Sequence, residues 1–518
     1  MLEGISKKRV LVNVAGGLVA RIVNITFVFW MYQYLLKRIP ADEFAIYPVL
    51  IVIMMTVPLF ASFFASAVSR SVIEAYAAGR PRDVRVLHAT TVIGLSVFLA
   101  VLLAAGILGA VFVDRILTIP PDLVDDARLM VVVLVADLCL ALFAVPFTIA
   151  FEVRQRFVRR DAIMVSAEFL KIALTFCLIV LVEPRVAFVV VASFAANAVA
   201  VATYVVFARR LLPEFRIDRR LFDFGVLRSV VSFGVWTSLG QMSILVYQNA
   251  GPILLNLWST PVQVTAYFIG SVFDRRIGST MSIALAPLQP VLTTMSVTGD
   301  FRRLGNTYMR GGRYALWAAM AIATPLAVYA EPFVLLYVGP EYRDAAAVMV
   351  LMIAPFPLTY ASIMLSRIAI ATGRVRAFFT GAIATSLAGL LLMLVAVGPL
   401  GLGSIGAAAA IAVVMAISHL AFFWPLGLRL AGISLSEFAA RTLGPGLMPS
   451  AAGLVAWGSL RLAVAPDGWL ELLACGAAGG IVYLATLAIG CLQPDERDGL
   501  ARVLARFHPG AVRSAGTR

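Results

Sequence analysis

The sequence predicts an all-α polytopic membrane protein of about fourteen transmembrane helices, and three observations carry that expectation. First, 61% of the 518 residues are apolar and only 14% are charged, against about 45–50% and about 25% in soluble domains. Mean hydropathy is +0.95. Soluble multidomain, disordered, collagen-like and coiled-coil chains are excluded on that composition. Second, apolar runs of 20 or more residues recur along the chain, whereas barrel strands would be short and alternating. Third, the basic residues fall almost entirely between alternate runs, as membrane topology requires.

Taken in order, the spans are expected near 10–36, 44–69, 89–113, 128–151, 162–182, 187–208, 230–258, 264–297, 312–336, 346–370, 378–397, 405–424, 442–464 and 469–490. The first follows Lys7-Lys8-Arg9 and is too long for a signal-peptide core, so it reads as an uncleaved span. With the N-terminus cytoplasmic, and with the span-end residues Arg128 and Arg313 counted in their adjoining loops, 30 of the 42 Lys/Arg lie in inside segments, 6 in outside loops and 6 within spans. That bias places both termini in the cytoplasm. It also accounts for the +14 net charge through topology and anionic lipid, so no nucleic-acid partner is expected.

A repeat is readable at an offset of 217–220 residues. Gly17 matches Gly234, Tyr47 matches Tyr267, Gly79 matches Gly299, Asp126-Ala127 matches Asp344-Ala345, and Arg156 matches Arg374. The offset covers an even number of spans, so the repeat is parallel. The expected organisation is two six-helix lobes related by that repeat, plus two extra C-terminal helices. The N-lobe is residues 1–208, an amphipathic cytoplasmic linker 209–229, the C-lobe 230–424, spans 13 and 14 residues 425–490, and a cytoplasmic tail 491–518.

Chemistry outside the membrane is sparse. No loop exceeds about 25 residues, and outside loops such as Glu183-Pro184-Arg185 are minimal. The three histidines and four cysteines are dispersed, and four lysines include no Walker A lysine, so no metal site, disulfide framework or ATPase is expected. A paired-carboxylate or nucleophile constellation for an enzyme acting on lipid-linked sugars is also missing. The chain reads as a transporter, not an enzyme, with no cofactor beyond a coupling ion.

Several stretches are similar to bacterial polysaccharide flippases of the multidrug/oligosaccharidyl-lipid/polysaccharide exporter superfamily. They are Leu35-Leu36-Lys37-Arg38-Ile39-Pro40-Ala41-Asp42-Glu43-Phe44-Ala45-Ile46-Tyr47, where Ile39 replaces the usual Gly, and Ser69 to Gly79. They continue with Val338-Gly339-Pro340-Glu341-Tyr342-Arg343-Asp344-Ala345, Ala371-Thr372-Gly373-Arg374, and the Gly/Ala-rich run from Gly401 to Ala409. The likeness extends over about residues 5–430 and rests on loop signatures. It implies a V-shaped two-lobe fold that alternates access in the bacterial inner membrane. The implied substrate is a polyprenyl-pyrophosphate-linked oligosaccharide repeat unit for O-antigen or exopolysaccharide. Polysaccharide polymerase and chain-length proteins are the implied partners. The alternatives are a peptidoglycan-precursor lipid flippase, which shares fourteen spans and central arginines, and a cation-coupled drug exporter of the same superfamily, where twelve spans and carboxylates would be usual.

Charges inside spans cost about 2.5–3.5 kcal/mol each and mark candidate sites. Arg21 is twelfth in span 1, Asp137 tenth in span 4, Lys171 tenth in span 5 with Glu168 one turn before, and Asp274, Arg275 and Arg276 eleventh to thirteenth in span 8. All lie roughly 15–20 Å from one end, near the bilayer midplane. Guanidinium groups give pH-independent, bidentate donors to phosphate, so Arg21, Arg275 and Arg276 are the candidate pyrophosphate ligands. Under the family's fold they face each other across the lobes. Adjacent arginines point about 100° apart, so only one of the pair is expected to face a cavity. Asp137, Glu168, Lys171 and Asp274 are candidate ion sites for H⁺ or Na⁺, or internal salt bridges such as Glu168–Lys171. Gln241, Tyr247, Gln248 and Asn249 are candidate sugar contacts or interhelical glue. Arg367, close to a span end, is expected to snorkel, and Trp30, Tyr32 and Tyr34 to form an aromatic belt.

Overall fold

The computed structural model describes residues 26–52, 68, 72, 75–76, 78–154, 156–215, 218–228, 249–285, 288–493 and 496–497. They are helical with no strand among them. Nine helices among the described residues are long and apolar enough to cross a membrane, and a tenth span forms if Phe301–Val328 and Ala330–Tyr337, bent by 75°, are counted together. Two compact units emerge: Met1–Thr265 with Val397–Gly403, and Ala266–Ala396 with Ser404–Arg518.

In the first unit, α1 is Ala41–Leu50, α2 Pro81–Val111, α3 Val124–Val153, α4 Phe157–Cys177 and α5 Val186–Leu211. A widened turn, Leu178–Val182, continues α4. The termini follow the helix dipole: Asp125 and Asp126 open α3 and Arg209 and Arg210 close α5. Pro81 starts α2 at a position that needs no amide donor. α3 packs against both α2 and α5. Gly106 on α2 has no room for a side chain beneath Val135, a small-residue approach typical of membrane helices.

The segment after α5 is docked. Leu212 and Phe215 are buried with Val84, Phe147 and Ala208, and Phe215 stacks on His88 at 4.0 Å. Thr90 Oγ1 accepts the Asp223 amide at 3.0 Å. Phe222 and Phe224 stay exposed, the pair available to a leaflet. Tyr32 departs from the aromatic-belt expectation: it is buried and meets Phe44 edge-on at 5.9 Å. Trp30 and Tyr34 instead pack together at 5.2 Å.

The second unit contains α6 Pro261–Leu285, α7 Leu288–Val297, α8 Phe301–Val328, α9 Ala330–Tyr337, α10 Asp344–Ile353, α11 Phe356–Ala361, α12 Leu365–Ala371, α13 Val375–Val397, α14 Gly403–Ser418, α15 Trp424–Ala431, α16 Gly444–Val464 and α17 Trp469–Thr486. Only the parts of α6 from Ala266, α13 to Ala396 and α14 from Ser404 belong to it. α8 begins well before the hydropathy pattern expects. Asp300 caps it by accepting the Arg303 amide, and its first turns are amphipathic, which a hydropathy window discards. The span expected at 346–370 is observed as Asp344–Ala371, one of the nine candidate spans; it is built of α10 to α12 with turns between them, the first turn lying where Pro355 and Pro357 lack amide donors.

α8 contacts its neighbours through glycines: Gly305 lies against Ala431 O, and Gly312 against Ala361 O. Trp457, 1% exposed, is clasped by Gly453 and Gly479 and donates Nε1–H to Gly476 O at 3.0 Å. The landmark pairs of the repeat share local settings. Gly79 and Gly299 are both left-handed, at φ 67° and 73°. Tyr47 and Tyr267 are both buried, as are Ala127 and Ala345. Arg156 and Arg374 each stand just before a helix.

Candidate functional site

α6, most of which lies in the second unit, is a polar helix with three charges in a row, Asp274, Arg275 and Arg276. Its 25 residues could cross a bilayer, yet it is absent from the helices apolar enough to do so by composition. One face packs tightly. A Cβ on Gly270 would lie 2.6 Å from Val348 Cγ1 and 2.7 Å from Ala345 O, both on α10, and one on Gly278 would lie 3.7 Å from the Tyr360 hydroxyl on α11. Residues 270, 274 and 278 fall on one stripe at i, i+4, i+8. Asp274 is therefore on the packed face, and Tyr360 is within its electrostatic reach.

The two arginines part company at that stripe. Arg275 Nη2 donates to Ser271 Oγ at 2.6 Å and reaches Phe268 O at 3.5 Å. Its guanidinium lies 5.3 Å from the Phe268 ring. Arg275 is thus folded back along its own helix. Arg276, about 200° from Asp274 at 100° per residue, points away from the packed face and is exposed. Among the described residues no carboxylate pairs with it; only its backbone carbonyl is engaged, by Ser279 and Thr280. On a membrane helix, a guanidinium midway along it is costly to place in hydrocarbon. Contact with water or an anion removes that cost.

The first unit holds a second polar cluster. Asp137, fully buried on α3, accepts the Asn197 Nδ2–H at 2.7 Å and the Ser193 hydroxyl at 3.2 Å, both from α5. Lys171 on α4 lies within its electrostatic reach, and Glu168 is partly buried one turn earlier. Three oxygen-bearing side chains on facing helices can hold a proton or a hard cation. Ser193 and Asn197 were not singled out from the sequence. Their signal was there: two hydrogen-bonding residues at i, i+4 in an otherwise apolar span.

Of the other sequence-derived candidates, Asn249 is buried. Arg21, Gln241, Tyr247 and Gln248 lie outside the described residues. Arg367 does not snorkel freely. It donates to Ser282 O at 2.9 Å, and its own carbonyl accepts from Gln289 Nε2 at 3.1 Å, tying α12 to the junction of α6 and α7. Arg461 reaches Val328 O and Glu331, satisfying carbonyls freed where α8 bends into α9. Near the chain's end, Arg310, Arg313 and Tyr314 converge on Glu496.

No protein-family model matches the chain. The uncharacterized membrane protein EpsK of Bacillus subtilis (strain 168) is 22% identical over 517 residues, covering 97% of this chain and 99% of that protein. The lipid II flippase MurJ, in an inward closed conformation, superposes with a TM-score of 0.67 at 12% identity over 95% of this chain and 99% of its own. An inward-facing multidrug resistance MATE transporter of the MOP superfamily gives 0.66 at 14% identity over 79% of this chain and 95% of its own. The fold is that of the MurJ and MATE transporters. The chain is a multi-pass membrane protein, and the MurJ likeness in fold covers 95% of it.

Proposed function

We propose that this protein is a flippase that carries polyprenyl-pyrophosphate-linked oligosaccharide repeat units across the bacterial inner membrane, both termini cytoplasmic, by alternating access. The observation that carries the reading is Arg276, an exposed guanidinium without a carboxylate partner among the described residues, on a helix with three consecutive charged residues. A pyrophosphate must cross a low-dielectric interior and needs fixed, pH-independent donors. Arg276 is the primary donor, with Arg21 and Arg275 as further ligands; Arg275 must leave Ser271 to join. A cationic-drug site would instead be dominated by carboxylates, and the one acid of α6, Asp274, is on its packed face.

Asp137 with Ser193 and Asn197 is the proposed seat of the coupling ion, H⁺ or Na⁺. Neutralising the carboxylate by a proton or Na⁺ changes what it asks of Ser193 and Asn197, and so biases α3 against α5. Surface-polymer polymerase and chain-length proteins are the proposed consumers of the product.

One observation favours a second reading. The likeness to the lipid II flippase covers nearly all of both chains, whereas the MATE likeness covers 79% of this one. A peptidoglycan-precursor lipid presents the same pyrophosphate to Arg276. Deleting the gene and extracting lipid-linked intermediates separates the two. The account predicts an accumulated polyprenyl-pyrophosphate repeat unit and lost surface polymer. Accumulated peptidoglycan precursor with lysis selects the second reading, and neither lipid with altered drug sensitivity refutes both.

A further inference from the structure

A groove of about 390 Å³ runs between α4 and α5 in the first unit. Its α4 wall carries Arg159, Ala162, Ser166 and Ala167, ending at Leu170, and its α5 wall includes Ala200 and Phe207. Positions 159, 162/163, 166/167 and 170 form a single helical face. The small residues on both walls open the space, because helices that pack through such positions leave a furrow when the facing residues are also small.

The groove has polarity. Arg159 stands at one end and is exposed, and Arg210 lies 5.9 Å from the Phe207 ring at the same end. Neither has a carboxylate partner among the described residues. The nearby acids are already engaged: Asp161 and Glu152 pair with Arg160 at 3.0 and 3.6 Å. No acid lines the groove. The basic end is the one that the Lys/Arg distribution assigns to the cytoplasm. From Arg159 to Leu170 is about 16 Å along the helix, half of a hydrocarbon core about 30 Å thick. The groove therefore runs from the cytoplasmic interface to the midplane, the depth of a single leaflet.

We infer that this groove is a resident site for an anionic phospholipid of the inner leaflet, with one acyl chain between α4 and α5 and the phosphate between Arg159 and Arg210. The length fits a chain that belongs to that leaflet. The unpaired arginines complement a net negative headgroup. Tyr204, whose hydroxyl donates to Arg160 O at 3.2 Å, and Arg154, whose Nε donates to Leu211 O at 3.1 Å, hold the mouth together without occupying it. Such a lipid bridges α4 to α5 beside the Asp137 cluster.

The test is native mass spectrometry of the full chain in detergent, titrated separately with phosphatidylglycerol, phosphatidylcholine and polyprenyl phosphate. Phosphatidylglycerol is expected to be retained as a single adduct and phosphatidylcholine to be lost. Arg159→Gln with Arg210→Gln should weaken phosphatidylglycerol binding about thirtyfold, the loss expected from two near-surface arginines. Ala162→Phe, at an exposed wall position, should abolish the adduct while the elution profile stays that of the folded protein. Equal retention of phosphatidylcholine, retention of polyprenyl phosphate alone, or an adduct untouched by both variants overturns the inference. Because binding is read directly, the result is independent of whether the protein exports polysaccharide.

Discussion

Gly270 and Gly278 are one stripe of the arginine-bearing helix, and they make opposite predictions. A methyl at Gly270 would sit 2.6 Å from Val348 Cγ1 and 2.7 Å from the Ala345 carbonyl oxygen. The valine can rotate, but the carbonyl is backbone. Restoring an ordinary separation of about 3.4–4 Å moves α6 from α10 by nearly an ångström. Overpacking of that kind costs about 1–3 kcal/mol. A methyl at Gly278 would meet only the Tyr360 hydroxyl, at 3.7 Å, and replacing a mid-helix glycine by alanine stabilises by about 0.5–1 kcal/mol. Thermal unfolding of purified protein is therefore expected to fall for Gly270→Ala and to hold or rise for Gly278→Ala. Surface-polymer export should fall with the first variant only, because the displaced helix carries Arg276. Equal melting temperatures for the two variants, or a loss confined to Gly278→Ala, would refute the packing of α6 described above.

Other expectations follow the same logic. Ser193→Ala and Asn197→Ala should each lower stability by about 1 kcal/mol, the scale of interhelical hydrogen bonds in membranes, while shifting the ion or pH dependence of export; unchanged ion dependence argues against a coupling role for Asp137. Arg461→Ala should lower thermal stability more than Arg343→Ala, since Arg461 alone also satisfies Val328 O at the α8–α9 bend, and paired melting curves decide it. Glu496→Gln leaves Arg313, 2% exposed, without its carboxylate and should cost about 3–5 kcal/mol in chemical unfolding, as for other broken buried pairs. Burial of Glu496 would raise its pKa, but the Tyr314 hydroxyl, the Gln493 amide, Arg310 and Arg313 outweigh that and hold it below the ordinary carboxylate value. Its contribution to tail docking is therefore complete above the unfolded-state pKa of about 4.3 and is lost as pH falls through the lower folded value. Anisotropy of a C-terminal fluorophore should be flat from about pH 8 to 5 and drop only below about pH 4.

Much of the fold was legible because a bilayer imposes one rule, that apolar helices must be about 20 residues long. The breaks were not. A hydropathy window averages over Pro355 and Pro357, so the three pieces α10 to α12 read as a single span. It also discards the amphipathic start of α8, where Arg302, Arg303 and Arg310 lower the mean although the helix is continuous. Glycine loop signatures were informative for a local reason: Gly339 adopts φ 99°, a conformation that side chains resist, between α9 and α10.

At the site, the sequence singled out Asp274, Arg275 and Arg276 because charges in a span are costly, but not their roles. Those depend on which stripe of α6 packs, and the stripe is set by Gly270 and Gly278 meeting α10 and α11. Asp137 was visible as a lone charge. Its partners Ser193 and Asn197 sit some 60 residues later, and only the packing of α3 on α5 joins them. Arg367 and Arg461 look like Arg276 in a linear reading. They differ in having broken helices beside them, whose carbonyls they satisfy.

The central claim is that Arg276 binds the anionic headgroup. Its most direct test compares Arg276→Gln and Arg275→Gln in a deletion strain, with membrane protein levels matched. The quantity to measure is the lipid-linked intermediate retained in the inner membrane. Arg276→Gln should accumulate it to the level of the deletion, and Arg275→Gln, whose side chain is held by Ser271, to a lesser extent. Export at the wild-type level by Arg276→Gln would contradict the claim.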